Sequence, residues 1–287
     1  TIRCHTLNPI LFQVPCMTNH PTGDAIPLLD FDPERRAIIE PTDTIKHRDM
    51  PEHCVFCFFR EVIAHATEQL GLQALRPFAS EMGDLPVLRG EYQGKPIGIV
   101  PAPVGAPLAA SVFEEIIARG GRKFIVCGVC GVLDGSIGSG DIAVPTSALR
   151  DEGTSYHYLP AGRDAYPSPE AVSAIIKVLD RHGCHYVKGR TWTTDAFYRE
   201  TPKRVAKRAE QGCLTVEMEA AAFFAVAEFR GVQVGQLLYG GDDVSGDAWD
   251  PRGLGEMLSA RETLFWLALE ACLEIDDAQT DAPSATA

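Results

Sequence analysis

The chain has 287 residues, 45% of them apolar and 23% charged, with a formal net charge of −13. That is enough for one large α/β domain, or two small ones, with a core that needs no covalent staples. The acid excess argues against a non-specific nucleic-acid binder, which needs a basic face to neutralise phosphates, but not against a small anionic substrate held by a few local arginines.

Residues 1–50 are rich in Pro, Thr and Asp and show little periodicity, so they read as an irregular arm with one short helix near Pro33 to Ile39. Thr1 to Pro15 lacks the charged lead and long apolar segment of a signal peptide. No apolar run approaches the roughly 20 residues that span a bilayer. Glu52 to Leu70 has apolar residues at helical spacing and is expected to be a helix. Strand and helix signals alternate from there on. Strands are predicted at Pro96 to Val100, Lys123 to Gly128, Asp141 to Pro145, Tyr186 to Trp192, CLTVEM and Gly235 to Gly240. Helices are predicted at Ala109 to Arg119, Pro169 to His182, Pro202 to Gln211, MEAAAFFAVAEFRG and Glu256 to Glu274. The polar stretch 276–287 is expected to be a disordered tail. The alternation implies a single α/β domain over 51–275, with a mixed, mostly parallel central sheet flanked by helices.

The nine cysteines are an odd number. Several lie in apolar runs (Cys127, Cys130, Cys184, Cys213, Cys272), which points to buried thiols and a reducing cytoplasm. Cys54-x-x-Cys57 and Cys127-x-x-Cys130 have zinc-knuckle spacing, but the first lies in the expected helix and the second at a strand end. Core thiols and no metal are the expectation; a zinc-dependent hydrolase is the alternative they leave.

Open α/β sheets bind ligands at the carboxyl ends of their strands, so the loops after the strands carry the chemistry. Val216-Glu217-Met218-Glu219 places two carboxylates between a strand and a helix, where the helix start favours negative charge. A carboxylate there can accept hydrogen bonds from the hydroxyls of a ribose.

TVEMEAAAFFAVAEFRGV resembles the V-E-M-E-A-A-A helix of the nucleoside phosphorylase superfamily, which includes uridine phosphorylase, hexameric purine nucleoside phosphorylase and methylthioadenosine nucleosidase. TTDAFYRET, GKPIGIVPAPVGAP, KFIVCGVCGVLDGSIGSGDIAVPTSALRDEGTSYHY and GGDDVSGD are similar to further segments of that family, in the same order. The resemblance implies that Glu219 binds the ribose hydroxyls with Met218 under the sugar and Glu217 beside it. Phe197 then stacks on base or ribose, with Tyr198 a weaker neighbour. Gly128, in the G-x-x-G segment, lies against the substrate, and Gly105 lies against the nucleophile, where a missing Cβ permits close approach. Asp243 is the general acid for a departing purine and needs a raised pKa, with Asp242 a nearby competitor.

The phosphate site departs from the family's pattern. Phe31-Asp32-Pro33-Glu34-Arg35 resembles the phosphorolytic G-D-x-x-R turn with Phe31 in the glycine position, leaving Arg35 as the phosphate contact. The resemblance implies a second arginine lent by a neighbouring subunit, for which Arg48 is the candidate. Val126 and Val129 stand where relatives carry an arginine and a Thr or Ser. Arg150, Glu152 and His157 are further polar candidates with nothing to choose among them.

The expected activity is phosphorolysis of a purine or uridine-type nucleoside by inorganic phosphate, without a cofactor, in a cytoplasmic homo-oligomer (dimer or hexamer). Nucleic acid and membranes are not expected partners. Hydrolysis and non-catalytic nucleoside binding remain as alternatives, and base identity stays open.

Overall fold

Strands buried on both faces need long apolar runs, and the run KFIVCGVCGV forms the strand on which the others are built. The computed structural model describes residues 26–276 apart from Met82, Leu254 and Glu256. The first half of the expected arm, the tail from Asp277 onward and the expected helix start at Glu256 therefore lie outside the described residues. In chain order the elements are α1 (Pro41–Thr44), β1 (His53–Cys57), α2 (Arg60–Leu70), β2 (Gln73–Ala74), β3 (Leu88–Tyr92), β4 (Lys95–Pro101), α3 (Ala106–Arg119), β5 (Lys123–Val132) and β6 (Ile142–Asp151). They continue as β7 (Asp164–Ala165), α4 (Pro169–Arg181), β8 (Tyr186–Thr194), α5 (Pro202–Glu210), β9 (Cys213–Glu217), α6 (Ala220–Arg230), β10 (Gln233–Asp243) and α7 (Leu258–Leu273).

The result is one α/β domain on a mixed ten-stranded sheet. β5 runs between β1 and β10, parallel to both, and near its end pairs antiparallel with β9 through Gly131 and Val132. β9 pairs with β8, β8 with β6, and β6 with β10, so the five strands β5, β9, β8, β6 and β10 close on themselves. β1, β4, β3 and β2 extend the sheet from the other edge of β5. Helices α2, α4 and α7 cover one face, packing on Val55, Ile99, Ile125 and Leu237. Helices α3 and α6 cover the other, packing on Phe56, Val100, Val126 and Val234. Among the described residues no helix is long and apolar enough to cross a membrane.

Two expectations need correction. The helix expected over Glu52 to Leu70 is a strand followed by a helix: Cys54 and Cys57 lie on β1, and α2 starts only at Arg60. The residues Cys54 to Cys57 are wholly buried and so take the β-branched and aromatic pattern of an interior strand, whose apolar run helical spacing also fits. Cys57 and Cys127 sit opposite each other on β1 and β5, inside the sheet. The helix expected near Pro33 to Ile39 is absent. That stretch is held by local turns, with the Glu34 N–H donating to Asp32 and the Ala37 N–H to Glu40, and helical turns occur instead at Pro27–Leu29 and Pro41–Thr44. The strands also run further than expected: β5 continues through Gly128 to Val132, and β6 and β10 reach Asp151 and Asp243.

The arm is tied to the domain by a fully buried arginine. Arg119, at the end of α3, forms a bidentate pair with Asp49 at 2.9 Å through each nitrogen and donates to the Arg76 carbonyl at 2.7 Å. Above the sheet, Phe113 on α3 meets Phe56, Phe124 and Phe223 edge-on, with ring centroids 4.6 to 5.6 Å apart. Phe113→Ala is expected to cost about 3–5 kcal/mol in urea unfolding. A loss below about 1 kcal/mol would show that α3 and α6 collapse into the gap and that the ring cluster does not set their spacing.

Candidate active site

The carboxyl ends of β1, β4, β5 and β9 open on a cleft of about 920 Å³. Its wall takes Phe58, Phe59 and Arg60 after β1, Pro101 to Val104 after β4, Val129 from β5, and Glu217, Met218 and Glu219 from the β9–α6 junction, while Gln236 and Leu238 of β10 complete the floor. Most of this lining is apolar, so the few polar groups decide what binds.

The two carboxylates of the junction have different surroundings. Glu217 is buried, with Oε1 accepting from the Thr193 hydroxyl at 2.6 Å and Oε2 from the N–H groups of Glu219 and Ala220 at 2.8 and 2.6 Å. It caps the start of α6, where free N–H groups favour a carboxylate. Burial raises its pKa, although these hydrogen bonds pull the other way. Both oxygens are engaged within the protein, so Glu217, which lines the cleft as expected of a substrate contact, also positions its neighbour. Glu219 is 5% exposed and accepts from the backbone N–H of Gly105. Burial first, and the nearby Glu217 charge second, push its pKa up to about 8. Gly105 stands at φ +98° just before α3, a conformation that favours glycine, and this turn aims its N–H at Glu219.

Other expected site residues lie elsewhere. Gly128 is inside β5, where a Cβ would come within 2.9 Å of the Phe58 ring; it serves close packing, and Val129 faces the cleft instead. Phe197 and Tyr198 follow β8 with rings 4.0 Å apart, 49% and 87% exposed, and neither lines the cleft. Arg35 is on another face, donating to the Phe229 carbonyl with its guanidinium 5.2 Å from the Phe229 ring. Arg48 is exposed. Arg150 is buried and staples its own loop, through the Ser155 hydroxyl and the carbonyls of Leu159 and Pro160. Glu152 holds Ser155 in that same staple, and His157 is exposed.

Asp243 is not placed as a proton donor. It forms an ion pair with Arg252 and accepts from the Ser245 N–H at 2.7 Å. Burial pushes its pKa up, but Ser245 and Arg252 outweigh burial and hold the carboxyl below its ordinary range. Such a group stays ionised at neutral pH and has no proton to give. Asp242, one residue earlier, pairs with Gly131 across the β5–β10 ladder and accepts from the Trp249 indole at 2.7 Å. Its charge adds to burial in raising the half-buried Glu200 to about 7.

Two cleft groups, Arg60 and Gln236, were not anticipated, nor was Glu200, which follows β8 and is not part of the cleft lining. Arg60 heads α2 at the cleft wall and has no hydrogen-bond or ion-pair partner among the described residues. Its signal was a basic residue directly after the apolar run HCVFCFF, hidden once that run was read as helix. Gln236 is a lone amide in the run GQLLYG. Glu200 carried no signal, since its neighbour Asp242 is 42 residues away.

The phosphorylase superfamily profile matches residues 52–262, a range that holds Arg60 and excludes Arg35. A guanosine phosphorylase of Halorubrum lacusprofundi is 31% identical over 53% of this chain and 63% of its own length. A uridine phosphorylase of Thermococcus kodakarensis is 30% identical over 51% of this chain and 57% of its own. The match thus spans about three-fifths of these relatives. The crystal structure of uridine phosphorylase from Vibrio fischeri superposes with a TM-score of 0.67 at 24% identity, covering 79% of this chain and 93% of that one, which shows the shared fold.

The raised pKa of Glu219 makes stability depend on pH. With the carboxyl moved from 4.5 to about 8, the folded chain binds a proton that the unfolded chain has already released between those values. Stability from this group is complete below 4.5 and is lost as pH rises through about 8. Glu219→Gln carries no charge and should gain stability relative to wild type across that window in urea unfolding. Parallel pH profiles for the two proteins would show that Glu219 is ionised throughout.

Proposed function

This chain belongs to the phosphorylase superfamily, and on that footing we propose that it is a nucleoside phosphorylase. It cleaves the N-glycosidic bond of a purine or uridine-type nucleoside with inorganic phosphate, giving free base and ribose 1-phosphate. The observation that carries this reading is the buried Glu219 carboxyl at the cleft, held by the Gly105 N–H, in a wall that also bears the unpaired Arg60.

In this reading Glu219 binds the ribose hydroxyls over Met218. As the bond to the base stretches, the sugar becomes oxocarbenium-like, and the Glu219 carboxyl, protonated at neutral pH, holds its hydroxyls with one donor and one acceptor oxygen. Arg60 attracts phosphate, and its planar guanidinium suits two phosphate oxygens at once. The departing base gains its proton at the Glu200–Asp242 pair, where a carboxyl titrating near 7 can be protonated at working pH. The site is taken to work in a cytoplasmic homo-oligomer, with phosphate as co-substrate and no cofactor.

Hydrolysis is the second reading, favoured by Val126 and Val129, which offer a phosphate no side-chain donor. A panel of purine and pyrimidine nucleosides, incubated with and without phosphate and followed by chromatography of released base, separates the readings. Release that requires phosphate is expected, release at the same rate without it marks a nucleosidase, and binding without release marks a non-catalytic protein.

Glu219→Ala should lower kcat/KM by about tenfold or more with the fold intact, since the hydrogen bonds to the sugar hydroxyls are lost. An unchanged rate would remove Glu219 from the site. Glu200→Gln should lower purine cleavage and abolish the alkaline fall of the rate near pH 7. The same alkaline limb in the variant would place the acid elsewhere.

A further inference from the structure

Gln236 lies on β10 opposite Val126 of β5, which in turn lies opposite Phe56 of β1. The three side chains form one row across the sheet, and two of the three are apolar. Gln236 is 1% exposed and lines the cleft, yet neither its amide nitrogen nor its amide oxygen has a hydrogen-bond partner. The amide lies close enough to Glu217 to favour that carboxyl's charge, but does not reach hydrogen-bond geometry with it. A buried amide without partners destabilises a fold, and an apolar side chain of the same size would suit this row better. A ligand atom that pairs with the amide accounts for its presence.

The other polar groups of the floor narrow the choice of ligand. Glu217 is satisfied by Thr193 and the start of α6, and Glu219 by Gly105. Arg261 donates to the Tyr239 hydroxyl and to Glu61. Among the described lining residues that leaves one cation, Arg60, one exposed carboxylate, Asp84, and one buried neutral amide with both a donor and an acceptor free. An oxyanion that also carries an O–H uses the cation and the amide: its charge goes to Arg60, an unprotonated oxygen accepts from the Gln236 Nε2–H, and its hydroxyl donates to Oε1. A sugar hydroxyl would use the amide but not the cation.

We propose that Gln236 binds the attacking phosphate and sets the affinity for it. The proposal rests on the phosphorolytic reading, so wild-type base release is first measured with and without phosphate; release independent of phosphate would sink that reading by itself. With phosphate dependence in hand, Gln236→Leu in the full chain tests the proposal. Its melting temperature should equal or exceed that of wild type, because the unpaired amide is gone. Its KM for phosphate should rise about tenfold or more while its KM for nucleoside stays within about twofold. Inorganic phosphate alone should raise the melting temperature of wild type and leave that of the variant unmoved. A rise in nucleoside KM without a rise in phosphate KM would place the amide on the sugar and overturn the proposal. Unchanged constants would do the same and make Gln236 a packing residue. Should Gln236→Leu not fold, Gln236→Met takes its place: it keeps the length and removes both hydrogen-bonding atoms, and an unchanged phosphate KM would again overturn the proposal.

Discussion

Two carboxyl groups two residues apart, both buried at the β9–α6 junction, cannot both carry charge at low cost, and the rest of the site is arranged around that constraint. Glu217 receives a hydroxyl and two helix N–H groups, so charge settles there. Glu219 receives one N–H, from Gly105, and lies in the field of its neighbour, so the proton settles there. The asymmetry comes from three other elements. Thr193 is on β8, Gly105 is the turn into α3, and the free N–H groups belong to α6. A shift in any of them changes which carboxyl is ionised.

The sheet supplies the rigidity this needs. β5 pairs with β10 along its whole length and with β1 over its first half, and takes β9 in place of β1 near its end, which brings β9 beside the strands that open on the cleft. Closure of β5, β9, β8, β6 and β10 leaves little freedom for β9, a strand of only five residues, to slide. The single irregularity of β10 against β5, between Gly240 and Asp242, falls where the strand turns its acidic end toward Glu200.

What was legible in the sequence follows from the range of each signal. Alternating apolar runs and helical periodicities are local, and they led to the strands from β4 onward except the two-residue β7, to α3, α4, α5, α6 and α7, and to the Glu217–Glu219 junction. The hairpin of β3 and β4 was missed in part because Leu88–Tyr92 alternates over only five residues. β1 was misread because an apolar run followed by a helix satisfies helical spacing as well as strand burial, and Arg60 at the head of α2 was passed over with it, while Arg35 was drawn from its likeness to the G-D-x-x-R turn. Asp243 and Asp242 are equivalent in sequence. Only the position of Arg252 and Trp249 shows that one is locked in an ion pair and the other is paired with an indole. The unpaired amide of Gln236 is a property of three dimensions alone, since a glutamine in an apolar strand gives no sign of whether it is satisfied.

The neutral row Gln236–Val126–Phe56 also bears on the carboxyl pair. An arginine in place of Val126 would stand opposite Gln236, near Glu217, and its charge would favour the ionised forms of both carboxyls, drawing the proton from Glu219. A valine there, beside an uncharged amide, leaves the field of Glu217 unopposed and keeps Glu219 near 8. The cation is placed instead at Arg60, at the head of α2 and two strands away from β10, where it can meet an anion without neutralising the pair. Under the proposed phosphorolytic reading, Val126 and the protonated Glu219 carboxyl belong to one electrostatic arrangement, in which Gln236 supplies the hydrogen bonds that an arginine at 126 would supply only by removing the proton.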